Sequence, residues 1–380
     1  MKTTRIFILV LGVLVLAACG PQGSNSAADA PPTQEQSEAA SAESQDSAEA
    51  QESSAVESSS DSSGNSNAAR EEPDLSSLEI GDGHISTEPR VGYVWSCMQN
   101  FNEDAGGAQA TGAWFNEDAN VWNFYEKPVV DGAESWDFEF DMHVTGNTRV
   151  IAANGLPFHV TGHYPVDSSD DAYDYDANPH EISEQSYTLE LPANPTVLAE
   201  PTCVGGEVGI AISGVVINNA LDAPGRDAVS TEIQDQCQGH PHTGGIYHYH
   251  SYSTCLEDQD GTGHSDLIGY VLDGFGLYGP YGENGEVLTN EDLDVCHGHT
   301  HSIEWDGEMV EMYHYHSTFE YPYTVGCFRG ESVQFTDAIV ATDQGSDSSQ
   351  GNGQSGPPAG NGQDVPPTVA PPSNSGPGNG

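Results

Sequence analysis

The order of apolar and polar positions in the middle of the chain predicts strands separated by turns. Residues 138–144 alternate between apolar and polar, and a turn at Thr145-Gly146-Asn147 leads into a returning strand at 149–152. Residues 208–217 and 267–272 are apolar runs rich in β-branched side chains, as in buried strands. These segments favour a sheet with at least one covered face.

Helical patterning is weak. No long amphipathic period of 3.6 residues is present, and only two short helices are predicted, near residues 227–236 and 290–293. Asn284-Gly285 predicts a tight hairpin turn between Tyr281 and Val287. We therefore expect a mainly β fold, with a two-sheet sandwich as its architecture.

One phrase occurs twice, which indicates an internal duplication. Cys237-Gln-Gly-His240-Pro-His242 is followed by Tyr247-His248-Tyr249-His250, and Cys296-His297-Gly298-His299-Thr300-His301 is followed by Tyr313-His314-Tyr315-His316. Each copy therefore holds two His-x-His pairs, and residues i and i+2 of a strand point to the same face. The tyrosines between the histidines of the later pairs should face the opposite way and pack.

The converging imidazoles predict a transition-metal site. Neutral imidazole suits zinc and copper, and we expect one of these two metals. The pairs can build two sites, or one pseudo-twofold site between the copies. The alternative is an architectural network in which the histidines bond to carboxylates and tyrosine hydroxyls. The candidate ligands are His240, His242, His248, His250, His299, His301, His314 and His316.

The N-terminus has the pattern of an export signal. Residues 1–19 combine a basic start with a short apolar run, and Leu16-Ala17-Ala18-Cys19 resembles the bacterial lipobox. That resemblance implies lipidation of Cys19, and hence export and a lipid anchor in the cell envelope, at the outer membrane if the cell is Gram-negative. The membrane is thus the one partner we expect, and the sequence identifies no protein or small-molecule partner.

Composition divides the rest of the chain into four parts. Residues 20–80 are rich in Ser, Ala and Glu, and residues 343–380 in Gly, Pro and Ser; both are expected to be disordered because they cannot bury enough apolar surface. Residues 81–139 are predicted to be an N-terminal β extension, with Trp95, Trp114 and Trp122, packed on a domain at 140–335.

The chain is strongly acidic, with a formal net charge of −51. Because such a charge repels phosphate backbones, nucleic acid is excluded as a partner. Cation binding and plain solubility can both explain an acidic balance. Acids outnumber bases in every part of the chain after residue 19, which favours adaptation to high salt, where self-repulsion is screened.

Cysteines and acidic clusters add two further expectations. Six cysteines remain besides Cys19, and an even number in an exported chain predicts disulfides. We favour Cys237–Cys255, Cys296–Cys327 and Cys97–Cys203 over pairing between the copies. Two acidic segments, 174–178 and 257–263, have calcium-like spacing, but both are incomplete as EF-hand loops. Calcium is therefore a weaker candidate than a transition metal.

Several phrases in order resemble the YHYH-domain family of bacteria and some eukaryotes. The resemblance covers about 140–335 and implies a YHYH domain there, but no activity. Gly276 departs from the family, which usually has a proline in this phrase. Asp273 and Asp294 lie in matched phrases and are candidate carboxylates for orienting imidazoles. The phrases are residues 153–159, 209–215, 239–242, 245–250, 269–280, 293–300, 312–316 and 321–330.

The preferred hypothesis is an envelope-anchored YHYH-domain lipoprotein that binds a transition metal through the duplicated His-x-His pairs. One alternative is a non-catalytic cell-surface interaction or structural protein with architectural histidines. The other is a copper-dependent oxidase or a metal-assisted hydrolase. No Gly-x-Ser-x-Gly or phosphate-loop motif is present, so the sequence does not support hydrolysis by a serine nucleophile.

The lipid anchor is tested by Cys19→Ser. Because this change removes the acylated thiol, we expect the protein to move from the membrane fraction to the soluble fraction, measured by immunoblot after ultracentrifugation. Continued tight membrane association of the variant would contradict lipidation at Cys19.

Overall fold

The computed structural model describes residues 68–335, except 103–104 and 258–260. This part of the chain is mainly β, as predicted. The strands are β1 (Leu78–Glu79), β2 (Ile85–Ser86), β3 (Val94–Trp95), β4 (Phe115–Asn116), β5 (Val121–Trp122), β6 (Phe140–Thr145), β7 (Thr148–Ala153), β8 (Tyr187–Pro192), β9 (Glu207–Ala211), β10 (Val216–Asn218), β11 (Gly239–His242), β12 (Ile246–Tyr249), β13 (Leu267–Val271), β14 (Gly276–Tyr278), β15 (Gly298–Trp305) and β16 (Glu308–His316). A 3-10 helix lies at Phe124–Glu126 and a short helix, α1, at Ala228–Thr231.

The largest sheet contains the internal duplication. Its eight strands run in the order β11-β12-β10-β9-β13-β14-β16-β15. In the first half β9 and β10 form an antiparallel hairpin, β10 pairs in parallel with β12, and β11 closes the edge. β13, β14, β16 and β15 repeat these pairings, and the halves meet where β9 pairs with β13. The two copies are therefore halves of one sheet.

The apolar run 208–217 forms two strands where we expected one. β9 ends before Ser213-Gly214, where Gly214 has φ +72°, and the chain returns as β10. Gly274 has φ +88° at the matching turn of the second copy, and a Cβ there would lie 2.3 Å from the Pro192 carbonyl oxygen. Only glycine fits such a turn without strain. Both faces of the hairpin are covered, so the apolar pattern does not reveal the turn.

A second layer covers part of the large sheet. The antiparallel sheet β6-β7-β8 contains the predicted hairpin around Gly146 and contributes Ile151 and Leu189 to the common core. Arg149 on β7 is fully buried and reaches both carboxylate oxygens of Asp306 at 3.0 and 2.9 Å. Its guanidinium lies 4.4 Å from the ring centroid of Tyr270 on β13. This charged contact connects the two layers.

The segment before β6 forms two small sheets, β1-β5-β4 and β2-β3, and buries Trp114 and Trp122. A helix begins near the predicted 227–236 but comprises only α1, capped by the Asp227 carboxylate. The helix predicted near 290–293 is wrong. That segment is a turn, in which Asp292 accepts hydrogen bonds from the backbone and hydroxyl of Thr289.

The structure contains the three favoured disulfides, Cys97–Cys203, Cys237–Cys255 and Cys296–Cys327. The predicted signal peptide with Cys19, most of the segment 20–80 and the C-terminal segment 343–380 lie outside the described residues. No helix in the described part of the chain is long and apolar enough to cross a membrane.

Disulfide removal should lower the free energy of unfolding by an amount that rises with the logarithm of the length of the loop that each bond closes. Chain-entropy arguments give about 3 kcal/mol for Cys237–Cys255 and nearer 5 kcal/mol for Cys97–Cys203, because the pairs span 18 and 106 residues. Urea unfolding of paired Cys→Ser variants measures both free energies, and peptide mapping without reductant should recover all three linkages. A free thiol at Cys237 or Cys296 would contradict the pairing.

Candidate functional site

The strands of each YHYH phrase separate histidines from tyrosines, as the alternation predicts. Tyr247, Tyr249, Tyr313 and Tyr315 are all buried. The hydroxyls of Tyr247 and Tyr313 donate to Asp235 and Asp294 at 3.0 Å, so the two copies share this contact. One face of each strand is thereby fixed to the core, and the histidines occupy the other face.

The first histidine group, here called cluster A, comprises His240 on β11, His248 on β12, His250 just beyond β12, and Glu232 after α1. His240 and His248 are cross-strand partners in the β11–β12 register. The three ligand nitrogens lie within 4.8 Å of one another. Glu232 Oε2 lies 3.5 Å from His240 Nε2 and 3.8 Å from His250 Nε2.

Hydrogen bonds fix the orientation of two of these imidazoles. His248 Nδ1 lies 3.2 Å from the Ile246 carbonyl oxygen, and His250 Nδ1 lies 2.5 Å from that of Asn219. Because a carbonyl can only accept, both Nδ1 atoms carry the proton and both Nε2 atoms present a lone pair. These Nε2 atoms face each other at 3.1 Å. Two lone pairs at that distance repel unless a cation lies between them.

The electrostatics of cluster A favour a bound cation. Burial lowers the pKa of His248 well below its usual value and that of His250 to about 4, so both rings are neutral at pH 7. Burial, aided by the Asp222 and Asp176 carboxylates, raises the pKa of Glu232 to about 8. Neither ring nitrogen of His240 has a hydrogen-bond partner among the described residues. A metal ion would satisfy one nitrogen of His240 and would bind Glu232 as a carboxylate after displacing its proton.

Cluster A lines a cavity of about 450 Å³. Glu232 and the three histidines line it together with polar side chains such as Asn178 and His180. This cavity supplies an entry route for an ion.

The second group, cluster B, contains five histidines whose ligand atoms lie within 4.8 Å of one another. His299 and His314 are cross-strand partners on β15 and β16. His264 precedes β13, and its Nε2 lies 3.2 Å from that of His316. The members are His264, His299, His301, His314 and His316.

Backbone carbonyls orient the imidazoles of cluster B as in cluster A. Nδ1 of His264, His301, His314 and His316 lies 2.7, 3.1, 3.1 and 2.6 Å from a carbonyl oxygen, so all four Nε2 atoms present lone pairs. The Nε2 atoms of His299, His301 and His314 have no hydrogen-bond partner in the described residues. Burial, with the neighbouring imidazoles, lowers the pKa of His264 and His299 to about 4. A proton shared within the cluster is thus disfavoured at pH 7.

The clusters are two separate sites. Cluster A lies on β11 and β12 near one edge of the large sheet, and cluster B on β15 and β16 near the other. Five strand spacings separate β12 from β16, or about 24 Å. The arrangement of a single pseudo-twofold site between the copies is therefore excluded.

Seven of the eight predicted ligands belong to the two clusters. His242 is the exception: its ring centroid lies 4.6 Å from that of His248 with the planes tilted by 60°, and its Nδ1 donates to the Thr243 carbonyl oxygen, but it is outside the close group. Asp273 and Asp294 were expected to orient imidazoles. Their carboxylates instead accept hydrogen bonds from the Tyr315 and Tyr313 hydroxyls, because these acids lie on the tyrosine side of β16.

The sequence did not identify His264, Glu232 or Asp235. His264 aligns with the apolar Val204 of the first copy, so the repeat does not indicate a histidine ligand at this position. Glu232 precedes Cys237 by the same distance as Glu291 precedes Cys296, yet Glu291 is exposed. Asp235 had a usable signal, since an aspartate stands two residues before the first cysteine of each copy.

The calcium-like segments do not assemble a site in the part of the chain that is described. Both carboxylate oxygens of Asp176 accept backbone N–H groups, from Asn178 and Ile233. Asp258 and Asp260 of the other segment lie outside the described residues. Transition-metal ligands are therefore the better-supported donor set.

The chain was compared with known families, curated proteins and solved structures. The family model described as YHYH protein matches residues 188–287. This segment includes all of cluster A and His264, but not the other histidines of cluster B. No curated protein and no solved structure matches. The matched segment contains the first Tyr-His-Tyr-His phrase, and the chain is a YHYH-domain protein.

Proposed function

We propose that this protein is an exported, lipid-anchored metal-binding protein of the cell envelope, in which each cluster binds one transition-metal ion. The observation that carries the proposal is the set of Nε2 lone pairs in each cluster, turned toward one point by Nδ1–carbonyl hydrogen bonds. Zinc and copper both suit neutral imidazole. The anchor follows from the lipobox-like sequence before Cys19.

The architectural alternative requires every imidazole to have a protein partner. An unsatisfied buried polar atom costs about 1–3 kcal/mol, and His240, His299, His301 and His314 each have at least one within the described residues. Only one Nε2–Nε2 contact per cluster is close enough to share a proton. A shared proton would also have to reside on rings whose pKa burial has lowered. Metal ions satisfy all these atoms at once.

Metal content is the direct test. Untagged protein purified without chelator should contain about two equivalents of zinc plus copper by elemental analysis, one for each cluster. His248→Ala with His250→Ala should remove one equivalent, and His314→Ala with His316→Ala the other. His143→Ala with His163→Ala serves as the matched control, because both of these histidines are exposed.

A second measurement does not depend on which metal ions the expression host supplies. An ion that binds only the folded state adds about 2.7 kcal/mol of stability at one hundred times its Kd, so zinc or copper should raise the Tm of the metal-free protein. If purified protein contains no metal and neither ion shifts its Tm, the histidines are architectural and the proposal is wrong.

Acid should destabilise the metal-free protein through cluster B. Since burial holds the pKa of His264 and His299 near 4, the folded cluster rejects protons that the unfolded chain accepts below about pH 6.5. The contribution of these rings to the unfolding free energy therefore falls between about pH 6.5 and 4. Cluster A is less suitable for this test. The raised pKa of Glu232 makes acid increase the unfolding free energy, which opposes the effect of the imidazoles.

Urea unfolding of metal-free protein at pH 7, 6 and 5 measures this effect. Wild type should lose stability with acid relative to a cluster B variant that carries His264→Ala and His299→Ala, and the exposed pair His143→Ala, His163→Ala should keep the wild-type slope. A difference between wild type and the cluster B variant that stays constant with pH would show that these rings are not held neutral.

A further inference from the structure

The two copies share a backbone frame but present different donor atoms. Cluster A combines three imidazoles with the Glu232 carboxylate, whereas cluster B contains five imidazoles. We propose that the clusters bind unlike ions: a four-coordinate ion of the zinc type in cluster A, and a five-coordinate, all-nitrogen ion, preferentially Cu²⁺, in cluster B. This inference rests on the proposed metal-binding function and specifies the metal and geometry at each site.

Two local differences between the copies produce the two donor sets. In the first copy the end of α1 turns Glu232 into the protein, where it is buried. The second copy has a turn in place of this helix, and its aligned Glu291 is exposed. In the second copy His264 supplies an additional imidazole, where the first copy has the buried apolar side chain of Val204. These differences remove a carboxylate and add one imidazole, and His301, whose counterpart His242 lies outside cluster A, is the fifth imidazole of cluster B.

The separations in cluster A match a tetrahedral ion. With bonds of about 2.0–2.1 Å, two ligand atoms of a tetrahedral zinc lie about 3.3–3.4 Å apart. The Nε2 atoms of His248 and His250 lie 3.1 Å apart, and Glu232 Oε2 lies 3.5 Å from His240 Nε2 and 3.8 Å from His250 Nε2. Glu232 is therefore at ligand distance, and its negative charge offsets part of the charge of the ion.

Cluster B has more donors than a tetrahedral ion can use. Five nitrogens within 4.8 Å of one another fit a five-coordinate ion, in which opposite ligands lie about 4.1 Å apart for bonds of similar length. Cu²⁺ prefers tetragonal nitrogen-rich surroundings, whereas zinc has no such preference and takes four ligands in most protein sites. Copper binds most nitrogen sites more tightly than zinc. The expected distinction is therefore a larger copper-to-zinc affinity ratio at cluster B.

The experiment isolates each cluster and reads its geometry with Co²⁺. His314→Ala with His316→Ala leaves cluster A, and His248→Ala with His250→Ala leaves cluster B. Tetrahedral Co²⁺ absorbs visible light strongly, and five-coordinate Co²⁺ absorbs weakly. We expect an intense spectrum from the cluster A protein and a weak one from the cluster B protein. Competition titrations should give a copper-to-zinc affinity ratio at least about tenfold larger for cluster B.

Single substitutions assign the distinguishing residues. Glu232→Gln should weaken zinc binding at cluster A by about tenfold or more and leave cluster B unchanged. Glu291→Gln is its matched control in the second copy and should change neither cluster. His264→Ala should make the Co²⁺ spectrum of cluster B more intense, because one imidazole is lost. Circular dichroism and the Tm of each metal-free variant verify folding.

The outcomes separate this inference from the proposed function. If both clusters bind metal with the same spectrum and the same copper-to-zinc ratio, the inference is wrong and metal binding stands. A Glu232→Gln variant with unchanged zinc affinity would likewise overturn the four-donor assignment. If neither isolated cluster nor wild type binds zinc, copper or cobalt, the proposed function itself fails.

Discussion

The hydrogen bond from the last histidine of each YHYH phrase to a backbone carbonyl of the neighbouring strand region is the contact on which both clusters depend. His250 Nδ1 reaches the Asn219 carbonyl oxygen at 2.5 Å, and His316 Nδ1 reaches that of Gly279 at 2.6 Å. Each acceptor comes just after the strand that pairs in parallel with the YHYH strand. The sheet pairing therefore fixes both the tautomer and the direction of the ring, and it leaves the Nε2 lone pair facing the other imidazoles of the cluster.

The tyrosine side of the same strands keeps this arrangement rigid. Asp235 and Asp294 each gather a tyrosine hydroxyl and the backbone N–H of a cysteine, at 2.9 Å from Cys237 and 2.8 Å from Cys296. Each of these cysteines also closes a disulfide at the end of its copy. This buried network offsets the entropy lost when the strands are ordered. The strands can therefore hold the imidazoles in orientations that are unfavourable in the absence of an ion. An arrangement of this kind would preorganise the proposed metal site.

Much of the fold and part of the site could be predicted from the sequence. Alternation identified the β6–β7 hairpin, and the repeat identified the duplication, the three disulfides and seven of the nine cluster residues. The apolar run 208–217 predicts one strand, because a hairpin that is covered on both faces shows no alternation of apolar and polar residues. Glu232 and His264 were missed because neither belongs to a His-x-His pair, and each enters its cluster from a segment that the repeat does not preserve.

The sequence by itself determined which residues alternate on each repeated strand, and it indicated that the six cysteines form disulfides. Those features follow from local periodicity and from an even cysteine count in an exported chain. Only the tertiary structure decided that the copies form two sites at opposite edges of one sheet, and that one site contains a carboxylate while the other has a fifth imidazole. The physical reason is that strand order and the burial of single side chains depend on contacts between residues far apart in the sequence, which local pattern does not encode.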